Sequence, residues 1–156
     1  MTNTLQFAAS EEEAPEGKVI DFISGREVPA KPEETLAVQP FSRQLVEDYG
    51  YPKSHIQTRP QWHVKARPSD TKKSYPVDIA IFDGEEHRDE NLYIVVECKK
   101  PQRKDGRDQL EDYLRLSRAY LGVWTNGKER LFLRKREHEG TVTFEEIPNI
   151  PRYGQR

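Results

Sequence analysis

Two short stretches carry ionisable side chains where a buried strand should have none. In PVDIAIFD, Asp78 lies among Val77, Ile79, Ala80, Ile81 and Phe82; in IVVECKK, an apolar run ends in Glu97 and Lys99. Side chains alternate along a strand, so Glu97 and Lys99 point one way and Cys98 the other. Moving a lone carboxylate into an apolar interior costs several kcal/mol unless a cation compensates. If the two strands are neighbours, Asp78 and Glu97 offer two hard oxygen ligands with Lys99 beside them. Two carboxylates, waters and phosphate oxygens suit Mg²⁺, which rarely receives an all-protein cage. Such an ion polarises a phosphate and acidifies a water, while a lysine orients that water and offsets developing negative charge. The same residues also fit a plainer arrangement, an ion pair of Lys99 with Asp78 or Glu97 beside a stray acid.

The elements needed to hold these groups are legible around them. Pro32 and the following Glu33 and Glu34 suit a helix start, and Leu36, Val38, Phe41, Leu45 and Val46 follow at helical spacing until Gly50. The spacing predicts a helix over about 32–49. A small hairpin turning at Ser24-Gly25 precedes it. Strands are expected in QWHVKAR after Pro60, in YPVDIAIFD with Pro76 at its beginning, and in LYIVVECKK. In the last of these, Leu92, Ile94, Val96 and Cys98 make one apolar face, and Tyr93 and Val95 begin the other. Runs apolar on both faces, Val77–Phe82 and Leu92–Val96, read as central strands covered on both sides. Asp105 or Asp108 can cap a second helix over about 105–119, with Leu110, Tyr113, Leu114 and Ser117 as its inner stripe. LGVW and ERLFLRK form two further strands joined at Asn126-Gly127, and TVTFEEI adds an edge strand. The order is that of a mixed α/β domain without internal repeats.

The chain's 156 residues allow one domain of ordinary size, here 18–150, with 1–17 as a loose acidic tail and 151–156 as the start of a linker or carboxy-terminal tail. Hydrophobic content of 34% against charged content of 33% implies a modest core and a heavily charged surface. Cys98, the single cysteine, excludes an internal disulfide and a cysteine-rich zinc site. No signal peptide or membrane-length apolar run is present, so a cytoplasmic location is expected. The net charge of -2 conceals a split: residues 1–50 carry four Lys/Arg and ten Asp/Glu, and residues 51–156 carry 21 and 17. The basic residues of the second part cluster, which suits a phosphate backbone but equally a solvated surface.

Asp78, a hairpin-length gap and Glu97-Cys98-Lys99 resemble the PD-(D/E)xK nuclease signature, with Val77 inserted between Pro76 and Asp78. Downstream, Gln109 and Tyr113 in QLEDY match the Q-x-x-x-Y motif of one branch, which includes the amino-terminal nuclease domain of the motor subunit of type I restriction enzymes. KPEE, YGYPKSHIQ, KKP and GVWTNGKERLFL resemble that domain too, and the likeness covers roughly residues 18–155. The resemblance implies a restriction-endonuclease-like α/β fold, a mixed sheet flanked by helices. It implies Mg²⁺-dependent hydrolysis of double-stranded DNA, with Mn²⁺ as a substitute. Asp78, Glu97 and the backbone carbonyl of Cys98 would bind the metal, and Lys99 would act on the attacking water. Gln109 and Tyr113, one helical turn apart, would support the pocket; otherwise Tyr113 is core and Gln109 solvated. Glu34, or Glu33 beside it, is the candidate additional acid, although TLAVQ lacks the arginine the family commonly has nearby. Lys100, Arg103, Lys104 and Arg107 are candidate DNA phosphate contacts. The implied partners are the motor, recognition or methyltransferase subunits or fused domains of a restriction–modification system.

GVWTNGKE nearly matches the phosphate-binding loop G-x-x-x-x-G-K-[ST], but Glu129 supplies no hydroxyl and the segment joins two strands, so it reads as a hairpin. His55, His63, His87 and His138 lack metal-site spacing. Trp62 and Trp124 read as core more readily than as stacking platforms. Two rival readings stay open: a DNA-binding module of the same fold that does not cut, and a docking domain that uses the acidic amino-terminal segment.

Overall fold

The computed structural model describes residues 15–155. It opens with the expected hairpin: β1 (Lys18–Ile20) pairs antiparallel with β2 (Glu27–Pro29), and Gly25 sits in the turn at φ 76°. Helical structure begins at residue 32, passes through a π-helical segment (Glu34–Val38) and continues as α1 (Gln39–Glu47). This segment corrects the apolar stripe. A π turn holds an extra residue and shifts the phase of the face behind it. Ala37, Val38, Phe41 and Leu45 face inward, and Leu36, expected in the stripe, is 50% exposed.

The central sheet has six strands in the order β10-β9-β8-β7-β6-β3. These are β3 (Ile56–Gln57), β6 (Ile79–Phe82), β7 (Leu92–Cys98), β8 (Leu121–Thr125), β9 (Arg130–His138) and β10 (Thr141–Ile147). Among the described strands only β7 and β8 pair in parallel, so a crossover must link them, and α2 (Arg107–Leu116) provides it. The stretch read as one strand, YPVDIAIFD, divides at Asp78. Before it, β5 (Ser74–Val77) pairs with β4 (Trp62–Lys65) in a separate two-stranded sheet. After it, β6 joins the main sheet between β3 and β7. Pro76 lies within β5 and not at its beginning; this strand has a single partner, so the missing N–H breaks no second ladder.

One apolar cluster, under α1, holds Phe41, Leu45, Ile79, Ile81, Ile94, Val96 and Cys98; the other, under α2, holds Ala80, Phe82, Val95, Leu110, Tyr113 and Leu114. Every residue of β6 and β7 is buried, as expected for central strands. The faces of β7 differ from simple alternation at its start. Tyr93 packs with Ile94 under α1, and Leu92 packs under α2. The register explains this: Ile81 pairs with Ile94 and Phe82 with Leu92, leaving Tyr93 as the extra residue of a bulge.

The cap of α2 also differs from expectation. Gly106, at φ 120°, is the N-cap residue, and neither Asp105 nor Asp108 caps through its side chain. Instead, the Asp105 carboxylate pairs with Arg103, and its carbonyl accepts the Trp124 indole N–H at 2.7 Å. A Cβ at position 106 would collide with that indole, so glycine meets both a backbone and a space requirement. Trp124 is core, as read from the sequence. The β8–β9 connection spans residues 126–129, a longer loop than Asn126-Gly127 alone. Asn126 Oδ1 accepts the N–H groups of Lys128 and Glu129, while its Nδ2 donates to the carbonyls of Pro101 and Arg103. This one side chain therefore ties the hairpin to the loop that follows β7. Near the end of α1, Tyr49 Oη donates to Asn149, and its carbonyl accepts the N–H of Tyr153, within the 151–156 stretch expected as the start of a linker or tail.

Candidate functional site

Asp78 occupies the break between β5 and β6, where the chain leaves one sheet for the other. One strand away, β7 ends at Cys98, whose backbone N–H donates to Asp78 Oδ2 at 2.7 Å. Gln61 Nε2 donates to the other oxygen, Oδ1, at 3.3 Å. Glu97, the preceding residue of β7, is 5% exposed. Its Oε2 lies 3.2 Å from Lys99 Nζ, and the same ammonium donates to Gln109 Oε1 at 3.1 Å. The Tyr113 side chain, one turn further along α2, favours the charged form of the Glu97 carboxylate. Thus Asp78, Glu97, Lys99, Gln109 and Tyr113 form one contiguous cluster. Asp78 and Glu97 come from antiparallel neighbours, and Gln109 and Tyr113 from the crossover helix above them.

The electrostatics of the cluster are those of crowded acids. Burial, and then the nearby Glu97 charge, push the Asp78 carboxyl up to about 8, against the pull of the Cys98 N–H. Burial also raises Glu97, with Lys99 as the main opposing influence. Burial and the two neighbouring carboxylates drive the Tyr113 phenol far above its ordinary value, so it remains a donor. Cys98 points to the opposite face, in the apolar cluster under α1, and burial pushes its thiol well up. Only its backbone faces this site.

Two carboxylates held this way create a local demand for positive charge that a single lysine meets in part. Among the described residues no group of three or more His, Cys, Asp or Glu side chains forms a metal-holding cluster. Asp78 and Glu97 are the two carboxylates the cluster offers. That chemistry fits a hard cation which completes its shell with water and phosphate oxygens.

Asp78 also lines a cleft of about 270 Å³ with Pro29, Lys31, Glu33, Glu34, Arg59 and Gln61. Glu33 and Glu34, the two candidate acids, differ in their commitments. Glu34 is buried and engaged on both oxygens, by Arg59 Nη2 at 2.7 Å and Gln39 Nε2 at 2.7 Å. Glu33 is exposed, and its charge acts on both Asp78 and Glu97. A larger cavity of about 700 Å³ lies at Tyr93, Tyr120 and Ile150, and none of the clustered acids lines it. Chemistry, and not size, selects the smaller cleft.

The four cations read as phosphate contacts are exposed around the start of α2. Three are already paired with acids: Arg103 with Asp105, Lys104 with Glu129, and Arg107 with Glu111 and Glu146. Lys100 has no carboxylate partner among the described residues. The residues that sequence reasoning missed are Arg59 and Gln61, which lie just past the YGYPKSHIQ phrase and outside any motif, and Asp21. Asp21 is fully buried and accepts bonds from Thr58, Gln39 and Ser24. Burial alone would raise its pKa, but these hydrogen bonds together hold it below the usual carboxylate range.

A mixed sheet flanked by helices, with two acids and a lysine gathered at the end of adjacent central strands, defines a restriction-endonuclease-like domain. The family comparison agrees. The model of the type I restriction enzyme R protein N terminus matches residues 32–151, so the chain belongs to that family. No curated protein and no solved structure gave a match. Among the described residues no helix is long and apolar enough to cross a membrane.

Proposed function

We propose that this domain is the DNA-cutting part of a type I-like restriction–modification system and hydrolyses phosphodiester bonds in double-stranded DNA with Mg²⁺, or Mn²⁺ in its place. The observation that carries the reading is the buried pair Asp78 and Glu97, both pushed toward the protonated form, with Lys99 at 3.2 Å from the second. Strongly perturbed ionisable groups beside a specific charge partner and a cleft cluster at functional sites.

Asp78, Glu97 and the carbonyl of Cys98 would hold the metal. When bound, the metal polarises the scissile phosphate and acidifies a water. The remaining work falls to the protein. Lys99 orients the attacking water and offsets the charge that develops as the phosphorus–oxygen bond breaks, leaving a 5′-phosphate. Gln109 fixes the ammonium, and Tyr113 favours the charged form of Glu97. The Cys98 N–H holds Asp78. Lys100, Arg103, Lys104 and Arg107 take up backbone phosphates, the last three by exchanging surface carboxylates for DNA. Such exposed pairs are worth at most about 1 kcal/mol each, so the exchange is cheap. Target choice and DNA translocation belong to partner subunits or fused domains.

The test is plasmid cleavage in Mg²⁺, with the domain alone and within its R protein. Lys99→Met should lower cleavage by about 10²–10⁴-fold with the fold retained. Unchanged cutting by Asp78→Ala would remove the assigned site. An uncut plasmid that is still shifted in a gel would favour a binding module.

A further inference from the structure

We infer that Arg59, assisted by Gln61, forms a separate phosphate subsite beside Asp78 that grips the DNA phosphate next to the one cut. The inference rests on the nuclease reading above and adds to it a residue outside every motif.

The argument begins with what Glu34 does. One buried carboxylate oxygen holds Arg59 Nη2 at 2.7 Å, and the other accepts Gln39 Nε2 at 2.7 Å. The same amide nitrogen donates to Asp21 Oδ1 at 2.7 Å, and Gln39 Oε1 accepts the Phe22 N–H. Asp21 Oδ2 in turn accepts the hydroxyl of Thr58, the residue before Arg59. The chain of contacts therefore closes on itself: Thr58 to Asp21, to Gln39, to Glu34, to Arg59. Asp21, Glu34 and Thr58 are all buried. A fold that buries two carboxylates to steady one guanidinium makes that guanidinium the rigid element.

A guanidinium has five N–H donors in a planar fork. Among the described residues Glu34 is the partner of Arg59, whose side chain is 33% exposed and is one of those that line the cleft with Asp78. Gln61 stands between them, donating to Asp78 Oδ1. A planar fork with donors to spare, fixed beside a hydrogen-bonding amide, suits the paired oxygens of a phosphodiester. In this arrangement Glu34 anchors Arg59 and is not free to serve as the extra acid at the metal. Glu33 is the cleft acid left for that role.

The experiment measures binding of an end-labelled DNA duplex in Ca²⁺, without cutting, over a range of KCl concentrations. Wild type, Arg59→Gln, Arg59→Lys and the double variant Glu34→Gln/Arg59→Gln are compared, each checked for folding by circular dichroism. We expect Arg59→Gln to weaken binding about tenfold and to flatten the slope of log affinity against log salt by about 1. Arg59→Lys should restore the slope. The double variant removes the buried charge left by Arg59→Gln, so it should fold as wild type does and still bind weakly. Wild-type affinity and slope in the double variant would overturn the inference and leave Arg59 a purely structural partner of Glu34. Failure of the nuclease reading looks different, as wild-type protein that binds the duplex but never cuts it in Mg²⁺.

Discussion

Replacing Asp78 by Asn should make the metal-free protein more stable, and the gain should grow with pH. In the folded chain the Asp78 carboxyl is pushed from 3.8 to about 8, first by burial and then by Glu97. Between these values the folded state keeps a proton that the unfolded chain releases. Stability therefore falls as pH rises from about 4 to about 8, and levels off above that. At about 1.4 kcal/mol per pH unit the full shift corresponds to roughly 6 kcal/mol. Water entry and local relaxation lower the recovered part to about 2–4 kcal/mol at pH 9. Asn loses little in exchange: its carbonyl can accept the Cys98 N–H, and Gln61 can turn its amide to meet the new NH₂. Urea denaturation in EDTA at pH 5, 7 and 9 measures this directly. The two proteins should be close at pH 5 and separate progressively, and Mg²⁺ should then stabilise wild type but not the variant. Equal stability at pH 9, or a gap that does not change with pH, would refute the claim that this carboxylate is held against its preference.

Two further substitutions probe the supports. Tyr113→Phe removes the hydroxyl that favours the charged Glu97; Mg²⁺ affinity, read by calorimetry, should fall about 10–100-fold with the helix intact. Gly127→Ala sets a side chain at φ 91° and drives it into the Leu36 carbonyl. It should cost about 2–3 kcal/mol in thermal or urea denaturation, because neither the turn nor the π-helical segment can yield freely.

The sequence showed most clearly what repeats or alternates. The crossover helix is visible by its spaced apolar stripe, the β8–β9 hairpin by Asn126-Gly127, and the two buried runs because burial on both faces leaves unbroken apolar stretches. Glu97 and Lys99 stand out for the same reason, as charges that violate such a run. Where the structure departs from the reading, one residue alters a phase. The π-helical segment turns Leu36 outward, and the bulge at Tyr93 moves two side chains to unexpected faces; neither insertion leaves a mark in composition. Asp78 was legible as a charge but not as the point at which one strand becomes two, since an apolar run reads alike on either side of a break. Arg59, Gln61 and Asp21 were silent because their significance is wholly tertiary. Asp21 lies on the opening hairpin, Gln39 on α1 and Thr58 on a loop, and no spacing rule connects them.

The crossover from β7 through α2 to β8 has a consequence for where variation can be tolerated. Asp78, Glu97, Lys99, Gln109 and Tyr113 lie within one uninterrupted stretch of about a quarter of the chain. Their mutual placement is set by adjacent strands and one following helix, so few distant segments need to be in place first. The long β9–β10 ribbon lies outside that stretch, with its outer strand on the rim. Such a ribbon can lengthen, shorten or exchange its tip from one protein to another without disturbing the spacing of the acids, leaving it as the region most open to new attachments.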